Sequence, residues 1–68
     1  QSVDRGVVVA GVDRASPAAE AGLRAGDVIL ELNRKRIDRV EDLGKAAGGE
    51  RNLILLSRGG HSLYMLVE

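Results

Sequence analysis

Ten Lys plus Arg balance ten Asp plus Glu over 68 residues, so the chain lacks the basic excess that nucleic acid or an anionic membrane surface would attract. Tyr64 is its single aromatic residue, which removes base stacking as a binding mode, and with no cysteine there is no disulfide frame. A chain this short forms one domain near the lower size limit, burying only about 60% of its unfolded surface.

No apolar run is long enough to cross a bilayer as a helix, and any targeting segment is expected to lie outside a chain that opens at Gln1. Gly6 to Val12 is apolar and rich in valine, the pattern of a strand buried on both faces. Asp13 to Ala15 links it to the stretch around which the rest is organised, Ser16 to Asn33. Ser16 is placed to cap a short helix and Pro17 to occupy its first position, where no backbone donor is needed. Ala18, Ala19 and Ala21 carry the turn. Gly22 supplies the left-handed ending, and Leu23 stands where such an ending takes an apolar contact. Gly26-Asp27 makes a second break before the strand Val28-Ile29-Leu30-Glu31-Leu32. Two stops this close force a compact hook.

Asn33 to Arg36 reads as a tight turn in which Asn33 tolerates a left-handed conformation, while Arg34 stands where glycine would cost less. Asp38 begins a second helix, with Glu41 three residues on at the spacing of a capping box. Val40, Leu43 and Ala47 recur at i, i+3 and i+7 and are expected to share a face, and Gly48-Gly49 ends the helix. Asn52 to Arg58 and His61 to Glu68 form a hairpin across Gly59-Gly60. A two-residue turn pairs Arg58 with His61, Leu56 with Leu63 and Ile54 with Met65. These six share a face with Val67, and Leu53, Leu55, Ser57, Ser62, Tyr64 and Leu66 take the other. One face is the domain core, and the other is expected to meet another element or domain.

Little here can do chemistry. His61 follows two glycines in a turn, and Ser57 and Ser62 lie on the opposite strand face, so no nucleophile and base converge. The aspartates at 4, 13, 27, 38 and 42 lack metal-ligand spacing, and the glycines at 22 and 26 are not followed by the Lys-Ser or Lys-Thr of a phosphate loop. No cofactor and no metal is therefore expected. Arg34, Lys35, Arg36 and Arg39 form a cationic run, but Asp38, Glu41 and Asp42 stand beside it, as on a solvated turn. Asp27 is expected to cap or brace the turn into its strand. Gly44, in the interior of the second helix, weakens it by about 1 kcal/mol relative to alanine. It is either tolerated weakness or a floor without side chains, where a ligand or strand approaches closely.

The hook carries a resemblance. Ser16-Pro17-Ala18-Ala19, Ala21-Gly22-Leu23 and Ala25-Gly26-Asp27-Val28-Ile29 resemble the signature of bacterial PDZ domains. Gly6 to Val12, Val40 to Ala47 and Leu53 to Val67 resemble the strand before that signature, the second helix and the closing hairpin, so the likeness covers nearly the whole chain. Its ending, Leu55 to Val67, is most similar to the last PDZ domain of Do/HtrA-type periplasmic serine proteases. PDZ domains of intramembrane metalloproteases and secretion-system proteins share the hook.

The resemblance implies an α+β fold, a small PDZ-like β-barrel or sandwich of about five strands capped by two short helices. It implies a non-catalytic module in the periplasm that binds extended or C-terminal peptide segments of unfolded proteins by strand addition, with Val40, Gly44 and Ala47 lining the groove and Leu43 turned to the core. The implied parent is a serine endopeptidase engaged in protein quality control. Only residues 1–5 precede Gly6, so residues 1–68 are expected to form one PDZ-like domain lacking its first strand and carboxylate-binding loop. Peptide binding by these residues alone is then expected to be poor, and self-association through the exposed strand edge is expected. The rival expectation is a scaffold module that docks on neighbouring domains of the parent protease through exposed members of the Ile54, Leu56, Leu63 and Met65 face.

Overall fold

A computed structural model describes residues 6–68. It contains β1 (Val7–Val8), α1 (Pro17–Ala21), β2 (Val28–Leu32), β3 (Lys35–Arg36), α2 (Val40–Ala46), β4 (Asn52–Arg58) and β5 (His61–Val67). The strands form one antiparallel sheet in the order β1-β2-β4-β5, with β3 also paired to β2. This is the expected α+β architecture of five strands and two short helices.

The hook folds as its sequence dictates. The Ser16 side chain accepts a hydrogen bond from the Ala19 N–H at 3.2 Å, with Pro17 at the first helical position. Gly22 is left-handed, with φ 107°, and ends α1. Its N–H donates to Ala19 O and that of Leu23 to Ala18 O, each at 3.0 Å, which is the bond pair of a Schellman ending. The turn between β2 and β3 places Asn33 and Arg34 at φ 54° and 70°, the two positive values of a type I′ hairpin turn.

In the β4–β5 hairpin, Leu56 faces Leu63, Ile54 faces Met65 and Arg58 faces His61, as the two-residue turn requires. The core lies on this face. Ile54, Leu56 and Met65 join Ile29, Leu32, Ile37 and Ala46 there, with Val7, Val9, Ala21, Leu23, Leu43, Leu63 and Val67 packed around them. The face expected under the docking reading is thus the core itself, and the exposed residues are on the opposite side, Tyr64 and Leu66. Ile29 and Leu32 are three apart yet both buried. The register between β2 and β4 shifts at Leu30, and this bulge resets the alternation of side chains.

Two further expectations are corrected. The strand from Gly6 to Val12 pairs as β1 over Val7–Val8 only, and Val8 is 64% exposed. Val7 faces Ile29 and Val8 faces Val28, and the ladder closes through Val9 N–H to Asp27 O and Gly26 N–H to Val9 O. Beyond that point the partner chain turns away into the hook, so Ala10 and Gly11 have nothing to pair with and are exposed. In α2, the N-cap is Arg39 and the reciprocal acid is Asp42, one residue later than Asp38 and Glu41. Asp42 Oδ2 accepts from the N–H groups of Asp38 at 2.9 Å and Arg39 at 3.0 Å. Those two bonds hold the Asp42 carboxyl below its usual range.

Candidate functional site

The candidate site is the outward face of α2. Along this helix Leu43 and Ala46 pack on the core, whereas Val40, Gly44 and Ala47 are exposed. Val40, Leu43 and Ala47 therefore do not share a face. The exposed set recurs at i, i+4 and i+7, a strip along one side of a helix, and Ala47 closes it in the extended residue that ends α2. The helix stops at Ala46, ahead of Gly48-Gly49.

This strip is apolar and shallow. Val40 is 67% exposed. A Cβ added at Gly44 would meet nothing within 4 Å, so no packing inside the domain requires a glycine there. Gly44→Ala is accordingly expected to raise the unfolding free energy by about 1 kcal/mol, the helix-propensity difference, as measured by urea denaturation. A loss of stability would mean that the glycine serves the fold after all.

The resemblance noted in the sequence implies a further strand beside β1. Among the described residues β1 pairs with β2 alone, so no described strand occupies its second edge. Two surface hollows among the described residues lie elsewhere. One, of about 240 Å³, is lined by Leu30, Glu31, Arg36 and Leu55, and the other, of about 190 Å³, by Pro17, Glu20, Ala21, Leu66 and Glu68. Neither touches Val40, Gly44 or Ala47. A strip on one helix becomes a cleft only when a second wall stands opposite it.

The polar candidates fall where a solvated surface puts them. His61 is exposed beside Arg58, and Ser57 and Ser62 pair with each other across the hairpin. Among the described residues no group of three or more His, Cys, Asp and Glu could hold a metal ion. Arg34, Lys35, Arg36 and Arg39 are all exposed.

Asp27 has a larger part than bracing its turn. It is 2% exposed, and it takes a bidentate pair from Arg58, Nε to Oδ1 at 2.8 Å and Nη2 to Oδ2 at 2.7 Å. Its Oδ2 also accepts from Arg24 N–H at 2.9 Å. Arg58 Nη2 donates further to Gly22 O at 2.9 Å, so the guanidinium ties the end of α1 to the start of β2 and the end of β4. The Arg58 hydrogen bonds outweigh burial and hold the Asp27 carboxyl at about 2. Arg58 was not singled out from sequence, because its partner is 31 residues away and no local spacing announces it.

Comparison with known proteins decides the family. A family model described as PDZ domain matches residues 8–68. The chain belongs to the PDZ domain family. This PDZ domain is 37% identical over 67 residues to the periplasmic serine endoprotease DegP of Salmonella typhimurium (strain LT2), a match covering 96% of this chain and 14% of that protein. It is 43% identical over 67 residues to a probable periplasmic serine endoprotease, DegP-like, of Chlamydia trachomatis serovar D, covering 94% of this chain and 14% of that protein. The periplasmic pH-dependent serine endoprotease DegQ of Escherichia coli K12 is 35% identical over 66 residues, with 94% and 14% covered. The domain is thus homologous to PDZ domains of DegP- and DegQ-type proteases and spans about one seventh of their length. In fold it matches the HtrA3 PDZ domain bound to a phage-derived ligand, FGRWV, with a TM-score of 0.88 at 24% identity, covering 97% of this chain and 64% of that one.

Proposed function

We propose that this PDZ domain is a non-catalytic peptide-recognition module that binds extended or C-terminal segments of unfolded proteins by strand addition beside α2. The observation that carries this reading is the exposed apolar strip, with Val40 two-thirds in solvent and open space at Gly44. A water-facing valine next to a helix-weakening glycine gains nothing for the isolated fold, but both suit an extended apolar segment lying along the helix. The second edge of β1, which no described strand occupies, fits the same reading, since it is where the strand of the opposite wall would pair. We place the module in a periplasmic serine protease of the DegP type, with the task of presenting substrate to a protease domain, in line with the names of its relatives.

The opposite wall is supplied by residues upstream of Gly6. Extending the chain by about fifteen to twenty residues, enough for a loop and one strand, is expected to confer binding that residues 1–68 lack. The test is an NMR shift titration of both chains with a peptide ending in an apolar residue. Gly44→Trp in the extended chain should abolish binding while leaving the β4–β5 amide shifts in place. Equal binding by the short and extended chains would sink the idea of a missing wall, and undiminished binding by Gly44→Trp would remove the groove from α2. The same edge would favour self-association of the short chain, seen as a concentration-dependent sedimentation coefficient.

A second reading is favoured by Tyr64 and Leu66, 63% and 49% exposed on the outer side of β5. In this reading the domain docks on a neighbouring domain of the same protease through that side, rather than through Ile54, Leu56, Leu63 and Met65.

A further inference from the structure

Asn33 does more than turn the chain. Its backbone N–H donates to Leu53 O at 2.7 Å and its Oδ1 accepts from Leu53 N–H at 2.9 Å, so backbone and side chain together extend the β2–β4 ladder by one residue. The other end of the amide reaches α2. Asn33 Nδ2 donates to Ala46 O and to Asn52 Oδ1, each at 2.9 Å, and Asn52 Oδ1 accepts from Gly48 N–H at 2.6 Å. The last helical carbonyl and the second N–H after it are thus held by two side-chain amides from the sheet. No left-handed glycine ends this helix, since Ala47 is extended with φ −63° and ψ 134°.

The remaining attachments of α2 are slight. Leu43 and Ala46 are the only apolar side chains of the helix that pack on the core, and Val40, Glu41, Gly44 and Lys45 are exposed. Two contacts three residues apart lie nearly on one line along the helix. A contact along a line leaves rotation about it weakly restrained, and among the described residues no other apolar side chain of α2 packs on the core to oppose such a roll. The amides bind off that line, at the end next to Ala47. A Cβ at Gly48 would stand 3.4 Å from Asn33 Nδ2 and 3.6 Å from Asn52 Oδ1, so the chain passes close against the pair.

We propose that Asn33 and Asn52 are positioning residues for the peptide groove, an amide clamp that fixes the roll of α2 and so the placement of Ala47 and Gly44 against a bound segment. The proposal rests on the reading of α2 as the groove wall. It makes an asymmetric expectation for one chemical change at two sites. Asn52→Asp keeps an oxygen that accepts from both Asn33 Nδ2 and Gly48 N–H, so the clamp survives. Asn33→Asp keeps the acceptor for Leu53 N–H and tolerates positive φ, but turns an oxygen towards Ala46 O and Asn52 Oδ1, where a donor is needed.

Amide hydrogen exchange on residues 1–68 reads the clamp without any peptide. Asn33→Asp should speed exchange at Gly48 by about ten-fold relative to the unsubstituted chain, with β4 and β5 amides unchanged, and Asn52→Asp should leave Gly48 as it was. In the upstream-extended chain, Asn33→Asp should weaken a peptide ending in an apolar residue by about ten-fold and Asn52→Asp should not. Unaltered Gly48 exchange in Asn33→Asp, or equal peptide affinity for the two variants, overturns the clamp. Failure of the unsubstituted extended chain to bind peptide overturns instead the groove reading on which the proposal depends.

Discussion

Arg58→Met is expected to remove about 3 kcal/mol of unfolding free energy, the cost of leaving a buried charge without its partner. A domain of this size is worth roughly 3–10 kcal/mol in all, so the loss is a large share of it. The asymmetry of the pair sets the size. The Asp27 side chain is 2% exposed and that of Arg58 is 32% exposed. Removing Arg58 strands a carboxylate that has only the Arg24 N–H left, and it also frees Gly22 O. Removing the acid instead releases a guanidinium that can turn to water, so Asp27→Ala should cost less than Arg58→Met. Urea denaturation of both variants at pH 7 checks the order, and a smaller loss in Arg58→Met would contradict it.

The same pair gives the pH dependence. Asp27 sits at about 2 in the folded domain against 3.8 without its partners, so the unfolded state binds its proton first as pH falls. The stabilisation is therefore complete above about pH 5, declines through the window between those two values, and is gone below pH 2. A shift of this size corresponds to stabilisation on the order of 2 kcal/mol. In Arg58→Met that part of the acid dependence should shrink, because the depressing hydrogen bonds are lost. Identical acid unfolding curves for the two chains, scaled to their stability at pH 7, would show that Asp27 is not the responsible group.

Gly6→Ala is the second large effect. Gly6 has φ +96°, and a Cβ there would lie 2.7 Å from Val28 Cγ1 and 2.8 Å from Ile29 O. The positive φ alone costs an alanine about 1–2 kcal/mol. The backbone oxygen, held in β2, cannot give way as a side-chain tip can, so β1 must move off β2. A total of about 2–3 kcal/mol is expected, together with faster exchange at the amides that join β1 to β2. Gly11→Ala is the control, because Gly11 has no atom within 4 Å of an added Cβ and no positive φ. It should stay within about 0.5 kcal/mol of the unsubstituted chain. Equal effects of the two substitutions would refute the close approach at Gly6.

What was legible in the sequence was local. Ser16, Pro17 and Gly22 each act within a few residues, so the hook and its strand follow from their order. The β4–β5 register follows from a two-residue turn. Separation in sequence hid the rest. Asp27 meets Arg58 across 31 residues and Asn33 meets Leu53 across 20, and no spacing rule links such pairs. Val7 to Val9 shows why apolar runs mislead. The residues suit a strand with two covered faces, yet Val8, although paired with Val28, is 64% exposed, and the hook turns the partner chain away beyond Val9. At α2, a three-residue spacing exists at both Asp38/Glu41 and Arg39/Asp42, and the structure uses the second. An arginine in the capping position gave no signal of it. Gly44 was readable as an anomaly, and the structure sharpens it by leaving the space above it open.

The most direct test of α2 as the recognition surface is the set of intermolecular NOEs between the upstream-extended chain and a bound peptide with an apolar C-terminal residue. The account predicts contacts from that residue's side chain to the Val40 and Ala47 methyl groups and to the Gly44 α-protons. Contacts confined to Tyr64 and Leu66, or a peptide that binds without touching α2, would contradict it.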